Sequence, residues 1–296
     1  MLMLLVSCGK VAATAHDDAG TNDVDAAPDA NVCHDKQTFL PTGGIQTFMP
    51  SSCARTITIE ATGAQGGGST LNNQPGGHGA RTKGDFAIAE GTVLLVLVGK
   101  PGGTAMAVGG GGGGSFVWNP AALTQPYVVA GGGGGAGLST PGGPGLAAQS
   151  GGNGCVATAG GGANGSGGVA PTPKTNWAAG GAGWTSDGAA GGGPTAEPCG
   201  LAVGGKTPGN GGAGGAAGGT PVAATGGFGG GGGGQGQCAG TGGGGGGGYS
   251  GGGGGIDNGA QNFTCGGGGG SFNAGTSATT TDGGNTEPAG AVTISW

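Results

Sequence analysis

The chain has 296 residues, 89 of them glycine, with 7% charged and 4% aromatic residues and a formal net charge of −6. This composition cannot build an ordinary core under a charged shell, and its eight Lys and Arg form no basic patch, which excludes a nucleic-acid footprint. High glycine normally signals low complexity. Here, though, the large apolar residues are grouped into strand-like blocks, and the net charge is small for an expanded chain.

The chain opens MLMLLVSC, in which Leu5-Val6-Ser7-Cys8 resembles a bacterial lipobox. Residues 1–8 are therefore expected to be a lipoprotein signal with Cys8 as the lipidated residue. The apolar stretch is short and lacks a basic flank; a start codon placed too far downstream would explain both. Residues 9–36 are small and acidic without hydrophobic periodicity, the pattern of a disordered linker. Their Asp spacing does not match the alternating ligands, central Gly and distal Glu of a calcium loop.

From residue 37 to 296 the pattern is that of a glycine-rich domain. Thr56–Ala61 alternates strictly, with Ile57, Ile59 and Ala61 on one face, as a half-buried strand does. Gly84–Ala89 repeats this with Phe86 and Ile88. Thr92–Val98 is apolar on both faces and predicts a strand covered on both sides. Ser115–Trp118 and Tyr127–Ala130 are short strands around a turn at Asn119-Pro120. Ala291–Trp296 alternates again through Val292, Ile294 and Trp296, and is predicted to return to the N-terminal strands. Strands at about 56–130 and 291–296, with no amphipathic helix, indicate an all-β sandwich. A glycine-rich insertion then occupies about 131–275, its two ends pinned by one sheet between Val129 and Val292.

Glycine runs fall at 109–114, 131–135, 229–234, 242–248, 251–255 and 266–270. Fixing a backbone costs roughly 1–2 kcal/mol per residue, so ordering all 89 glycines costs on the order of 100 kcal/mol. Only dense cross-bonding of the backbone offsets that. Collagen is excluded, because Gly does not recur at every third position. Extended helices of three residues per turn remain, packed side by side as a polyglycine II bundle. Each buried peptide then bonds to a neighbouring helix, and Cα–H···O contacts add to the total. Phe116, Phe228, Tyr249 and Phe272 at the edges of the runs have no use in a flexible linker.

The order of these blocks resembles a known domain. Gly77-His78-Gly79-Ala80-Arg81, Phe86, Gly91, Leu94–Val98, Gly99, Gly109–Val117 and Val128–Gly135 follow the glycine-rich extracellular domain of the anaplastic lymphoma kinase and leukocyte tyrosine kinase receptors. Gly226-Gly227-Phe228, Cys238, the run 242–248, Tyr249 and Gly251-Gly252 are similar to its later block. The resemblance covers about Thr56 to Trp296. It implies a β-sandwich of tumour-necrosis-factor-like topology with an inserted polyglycine bundle, and a role in binding a protein ligand. The receptors' kinase has no counterpart here, and their contact residues cannot be carried over.

Apart from Cys8, the cysteines are Cys33, Cys53, Cys155, Cys199, Cys238 and Cys265. An even number in an exported, core-poor chain predicts disulfides. Of the 15 possible pairings, neighbour pairing (33–53, 155–199, 238–265) closes each loop without crossing another. Zinc is disfavoured because no C-x₂-C spacing occurs.

No catalytic, cofactor-binding or metal constellation is expected. His78 is isolated. Arg81 suits an ion pair with Glu60 or Asp85. The G-x-G-x-x-G matches open no helix, and Gly165-Ser166-Gly167-Gly168 follows no buried strand. The expected function is therefore non-enzymatic: a lipid-anchored recognition or adhesion domain at a bacterial outer membrane or cell surface, binding a protein or glycan. A passive coat or matrix protein is the alternative. Loops 119–126, 169–187 and 194–208 would carry the contacts, with Trp177 and Trp184 as exposed anchors.

Overall fold

A computed structural model describes residues 35–122, 124–155, 160–170, 177–192, 200–219, 222–236, 241–256 and 264–296. These belong to one compact unit. The expected signal, residues 9–34 of the expected linker, Cys8, Cys33, Cys199 and Cys238 lie outside the described residues; Lys36, placed at the linker's end, instead opens a strand, because its backbone pairs with Ser295.

Among the described residues, ten strands form two antiparallel sheets, an all-β sandwich. They are β1 (Lys36–Phe39), β2 (Gln46–Phe48), β3 (Thr56–Thr62), β4 (Arg81–Ala87), β5 (Leu94–Leu97), β6 (Ser115–Trp118), β7 (Val128–Ala130), β8 (Phe272–Asn273), β9 (Thr276–Thr281) and β10 (Ala291–Ser295). The first sheet has the order β1-β10-β3-β4-β9 and the second β2-β5-β6-β7-β8. The returning strand β10 pairs with β3 (Ile294 opposite Ile59) and with β1 (Val292 opposite Phe39).

The alternation read from sequence produces the core between the sheets. Ile57, Ile59 and Ala61 of β3, Phe86 of β4, and Val292 and Ile294 of β10 pack against Leu94, Val96, Val117, Val128 and Ala130. Fully burying each large apolar side chain contributes roughly 1.5–3 kcal/mol. The both-faced strand β5 is covered on both sides, as predicted. Leu94 and Val96 join the inter-sheet core. Leu97, with Leu95 packed beside it, joins a second cluster made with Phe116, Trp118, Val129 and Phe272. Against this second cluster lie Trp184, Phe228 and Tyr249 from the glycine-rich segment. The aromatics at the edges of the glycine runs thus form a second core on the far face of the second sheet.

The sheet strands run on into the glycine lattice. β6 follows the run 109–114 directly, and β7 leads directly into 131–135. The lattice also takes in segments 63–67, 76–80 and 99–103, around β3 to β5. The excursion after β7 returns at β8, where Val129 faces Phe272. This corrects the predicted pinning by Val292, which lies in the other sheet. A two-residue strand has no periodicity to read, so β8 escapes sequence inspection. Asn273 then ties the sheets together, its amide donating to Thr82 Oγ1 and the Lys83 carbonyl at 2.9 Å each.

The run 242–248 shows how the lattice is built. Gly243 and Gly246 donate to the carbonyls of Thr264 and Gly267; Gly244 and Gly247 to Gly109 and Gly112; Gly245 and Gly248 to Ala179 and Ala182. Donors three residues apart reach the same neighbour, and the acceptors also advance by three. The segment is therefore a three-fold helix with parallel neighbours on three sides. Its carbonyls accept from Gly255 and Gly252, from Gly135 and Gly132, and from Gly232. The first two pairs run in the opposite direction. Six segments thus surround this helix, and all of 242–248 is buried. A Cβ on Gly246 would collide with the carbonyls of Gly132 and Gly133, so side chains are excluded by contact.

Candidate functional site

The structure separates the two tryptophans proposed as exposed anchors. Trp177 is 2% exposed. Its N–H donates to the Gly192 carbonyl, and it bridges Ile256 across the lattice. It is a buried packing residue, not a surface anchor. Tryptophan in a glycine-rich loop looks exposed in sequence because no apolar pattern surrounds it; here it is buried. Its indole N–H is buried without a hydrogen-bond partner.

Trp184 is half-buried and belongs to the second core. Its ring lies near-parallel to Phe116, with centroids 6.4 Å apart at 25°, and edge-on to Trp118 at 5.8 Å and 71°. Its N–H donates to the Tyr249 carbonyl, and Tyr249 stacks on Phe272 at 4.6 Å. Packing and backbone bonding together fix this indole.

Beside it, Trp118, Trp184, Thr185, Pro208 and Gly209 line a cavity of about 360 Å³. One wall is the end of the loop reading 183–188. The other is a short 3₁₀ turn, Pro208–Asn210, capped by the Thr207 hydroxyl accepting from the Asn210 N–H. Proline at the first position of this turn pre-sets its backbone angle. Asp187 clamps the two walls together. Its carboxylate accepts from the Thr207 N–H at 2.8 Å, the Asn210 amide at 3.0 Å and Lys206 Nζ at 2.9 Å. Burial raises the pKa of Asp187, but these bonds and the Lys206 charge outweigh it and hold the carboxyl below its ordinary value. The charge of Asp187 is matched by Lys206. The Thr185 hydroxyl has no intramolecular partner among the described residues.

Other depressions lie elsewhere among the described residues. Asn119, Ala122, Thr124, Gln125, Pro126, Tyr127 and Ala274 line one of about 260 Å³ at the β6–β7 turn, which includes part of the predicted contact loop 119–126. Another, about 540 Å³, is flanked by Asp35, Lys36, Thr56, Thr58, Ser295 and Trp296 at the edge of the first sheet. Of the predicted loop 194–208, residues 194–199 lie outside the described residues; Pro208 supplies a wall of the tryptophan pocket.

Cys155 and Cys265 are joined in a disulfide. This overturns the predicted pairs 155–199 and 238–265. The lattice sets Cys155 beside Cys265, with a backbone bond of 3.0 Å between them. Cys53 is also disulfide-bonded. Arg81 pairs with Glu60 at 2.7 Å. Asp85 instead accepts from Thr58 at 2.6 Å, and His78 is exposed.

Among the described residues, no group of three or more His, Cys, Asp or Glu could hold a metal ion, and no helix is long and apolar enough to cross a membrane. In comparisons with known proteins, the chain matches no family model and no curated protein sequence.

Proposed function

We propose that the chain is a non-enzymatic recognition domain, lipid-anchored through Cys8 at a bacterial outer membrane or cell surface, that binds a protein or glycan. The observation that carries this reading is the pocket at Trp184, an aromatic-lined cavity whose walls are clamped by Asp187 and backed by the glycine lattice. Rigid walls lower the entropy lost on binding. Aromatic side chains dominate the energetics of such sites. The resemblance to the receptors' glycine-rich domain, with its tumour-necrosis-factor-like sandwich, supports a binding role and no catalytic one.

The test is capture of a partner or glycan by the full chain, compared with its Trp184→Ala variant. Saturable capture lost in the variant supports the reading. Capture of nothing across a broad protein and glycan panel supports a passive coat or matrix component instead. That second reading draws on one observation: a helix hydrogen-bonded on six sides is a rigid body whether or not it presents anything. Metabolic lipid labelling tests the anchor separately, and labelling that persists after Cys8→Ala removes it.

A further inference from the structure

The Trp184 pocket is specific enough to name a ligand class, resting on the recognition reading above. Its lining residues are Trp118, Trp184, Thr185, Pro208 and Gly209, none of them charged. The nearby carboxylate of Asp187 is fully engaged by Thr207, Asn210 and Lys206. A phosphate, carboxylate or ammonium ligand would therefore enter without a counter-charge, and its desolvation would go uncompensated. The occupant suited to this pocket is neutral.

At about 360 Å³ the cavity lies near the small end of small-molecule sites. It holds one ring rather than an extended chain. The polar groups on offer are a hydroxyl without an intramolecular partner, Thr185 Oγ1, and the exposed backbone of Gly209. Together they present both donors and acceptors. A ligand that uses them needs hydroxyls at its rim and an apolar face for the indole. A proline ring offers the apolar face but no hydroxyl, and proline-rich peptides dock along extended grooves. We infer that this pocket takes a single neutral pyranose ring, its C–H face against Trp184 and its hydroxyls bonded to Thr185 and the Gly209 backbone. The pyranose is either a free sugar or one residue of a surface glycan.

Saturation-transfer NMR on the full chain tests this with methyl β-glucopyranoside, methyl β-galactopyranoside and N-acetylglucosamine, and with tetraproline as comparator. At least one pyranose should give a saturable signal, weakened about tenfold by Thr185→Val, the loss of one hydrogen bond. Thr185 is exposed, so this variant keeps the fold. Trp184→Phe should retain part of the binding and Trp184→Ala none. The inference is overturned if no pyranose saturates, if Thr185→Val leaves affinity unchanged, or if tetraproline alone binds. Should the sugars fail while Trp184→Ala still abolishes capture of a macromolecular partner, the ligand class is wrong and the recognition reading stands.

Discussion

Cys155 and Cys265 lie 110 residues apart in sequence, yet their Cα atoms are 5.3 Å apart and the Cys155 N–H donates to the Cys265 carbonyl. The bridge staples the loop at 151–155 to the glycine helix 264–270, which Gly152 also joins by donating to Gly268. Closing a loop of this length removes much conformational freedom from the unfolded chain. The paired variant Cys155→Ala/Cys265→Ala should lose about 3–4 kcal/mol of stability, read from denaturant midpoints. Peptide mapping without reduction should recover the 155–265 link. An unchanged midpoint would mean that the lattice alone holds these segments.

The lattice predicts a contrast between glycines. Gly246 is enclosed on every side, and a Cβ there would strike the Gly132 and Gly133 carbonyls. Gly44 would meet only Thr42 Oγ1 at 4.0 Å, and its φ is not in the left-handed region. Gly246→Ala should therefore cost about 3 kcal/mol or more, from overpacking and broken backbone bonds. Gly44→Ala should stay within about 0.5 kcal/mol of the parent. Amide exchange gives the same contrast without mutation, since the N–H groups of 243–248 should exchange only on global unfolding. Rapid exchange there would rule out the packed helix.

Much of this architecture was legible in the residues. Strands at β3, β5, β6 and β10 announce themselves because Ile57, Ile59, Val292 and Ile294 alternate and Leu94–Leu97 does not. An unbroken run such as 242–248 implies backbone cross-bonding because glycine offers nothing else to bury. What could not be read was adjacency. β9 (TSATTT) is exposed along most of its length, so no apolar period marks it, and β8 is two residues long. Glycine segments carry no side chains to specify their neighbours, so the position of Cys155 against Cys265 is set by the lattice as a whole. The pocket was half legible. Trp184 stands out in the sequence, but Trp118 and Pro208 meet it only after three distant segments converge.

Trp177 and Trp184 should behave oppositely. Trp177 is buried, so Trp177→Ala should destabilise the fold by about 3–5 kcal/mol, with ligand affinity per folded molecule unchanged. Because its indole N–H has no partner, Trp177→Phe should be far milder than the alanine change. Trp184→Phe should leave thermal stability nearly intact and weaken binding. Equal stability losses at both sites would make Trp184 a core residue only.

Asp187 gives the pocket an acid limit whose sign follows from its environment. Its carboxyl titrates below the ordinary value of 3.8 when folded, because the bonds from Thr207, Asn210 and Lys206 outweigh the effect of burial. A group depressed in this way contributes stability that is fully present above the unfolded value and is lost as pH falls through the folded one. The clamp between the 183–188 loop and the Pro208–Asn210 turn should therefore hold at neutral pH and release only below about pH 4. In the parent, the Asn210 side-chain amide signal and Trp184 emission should shift together in that range. Asp187→Asn should already show the released signals at pH 7 and lack the acid transition. An identical acid midpoint in parent and variant would assign the transition to other carboxylates and detach Asp187 from the pocket.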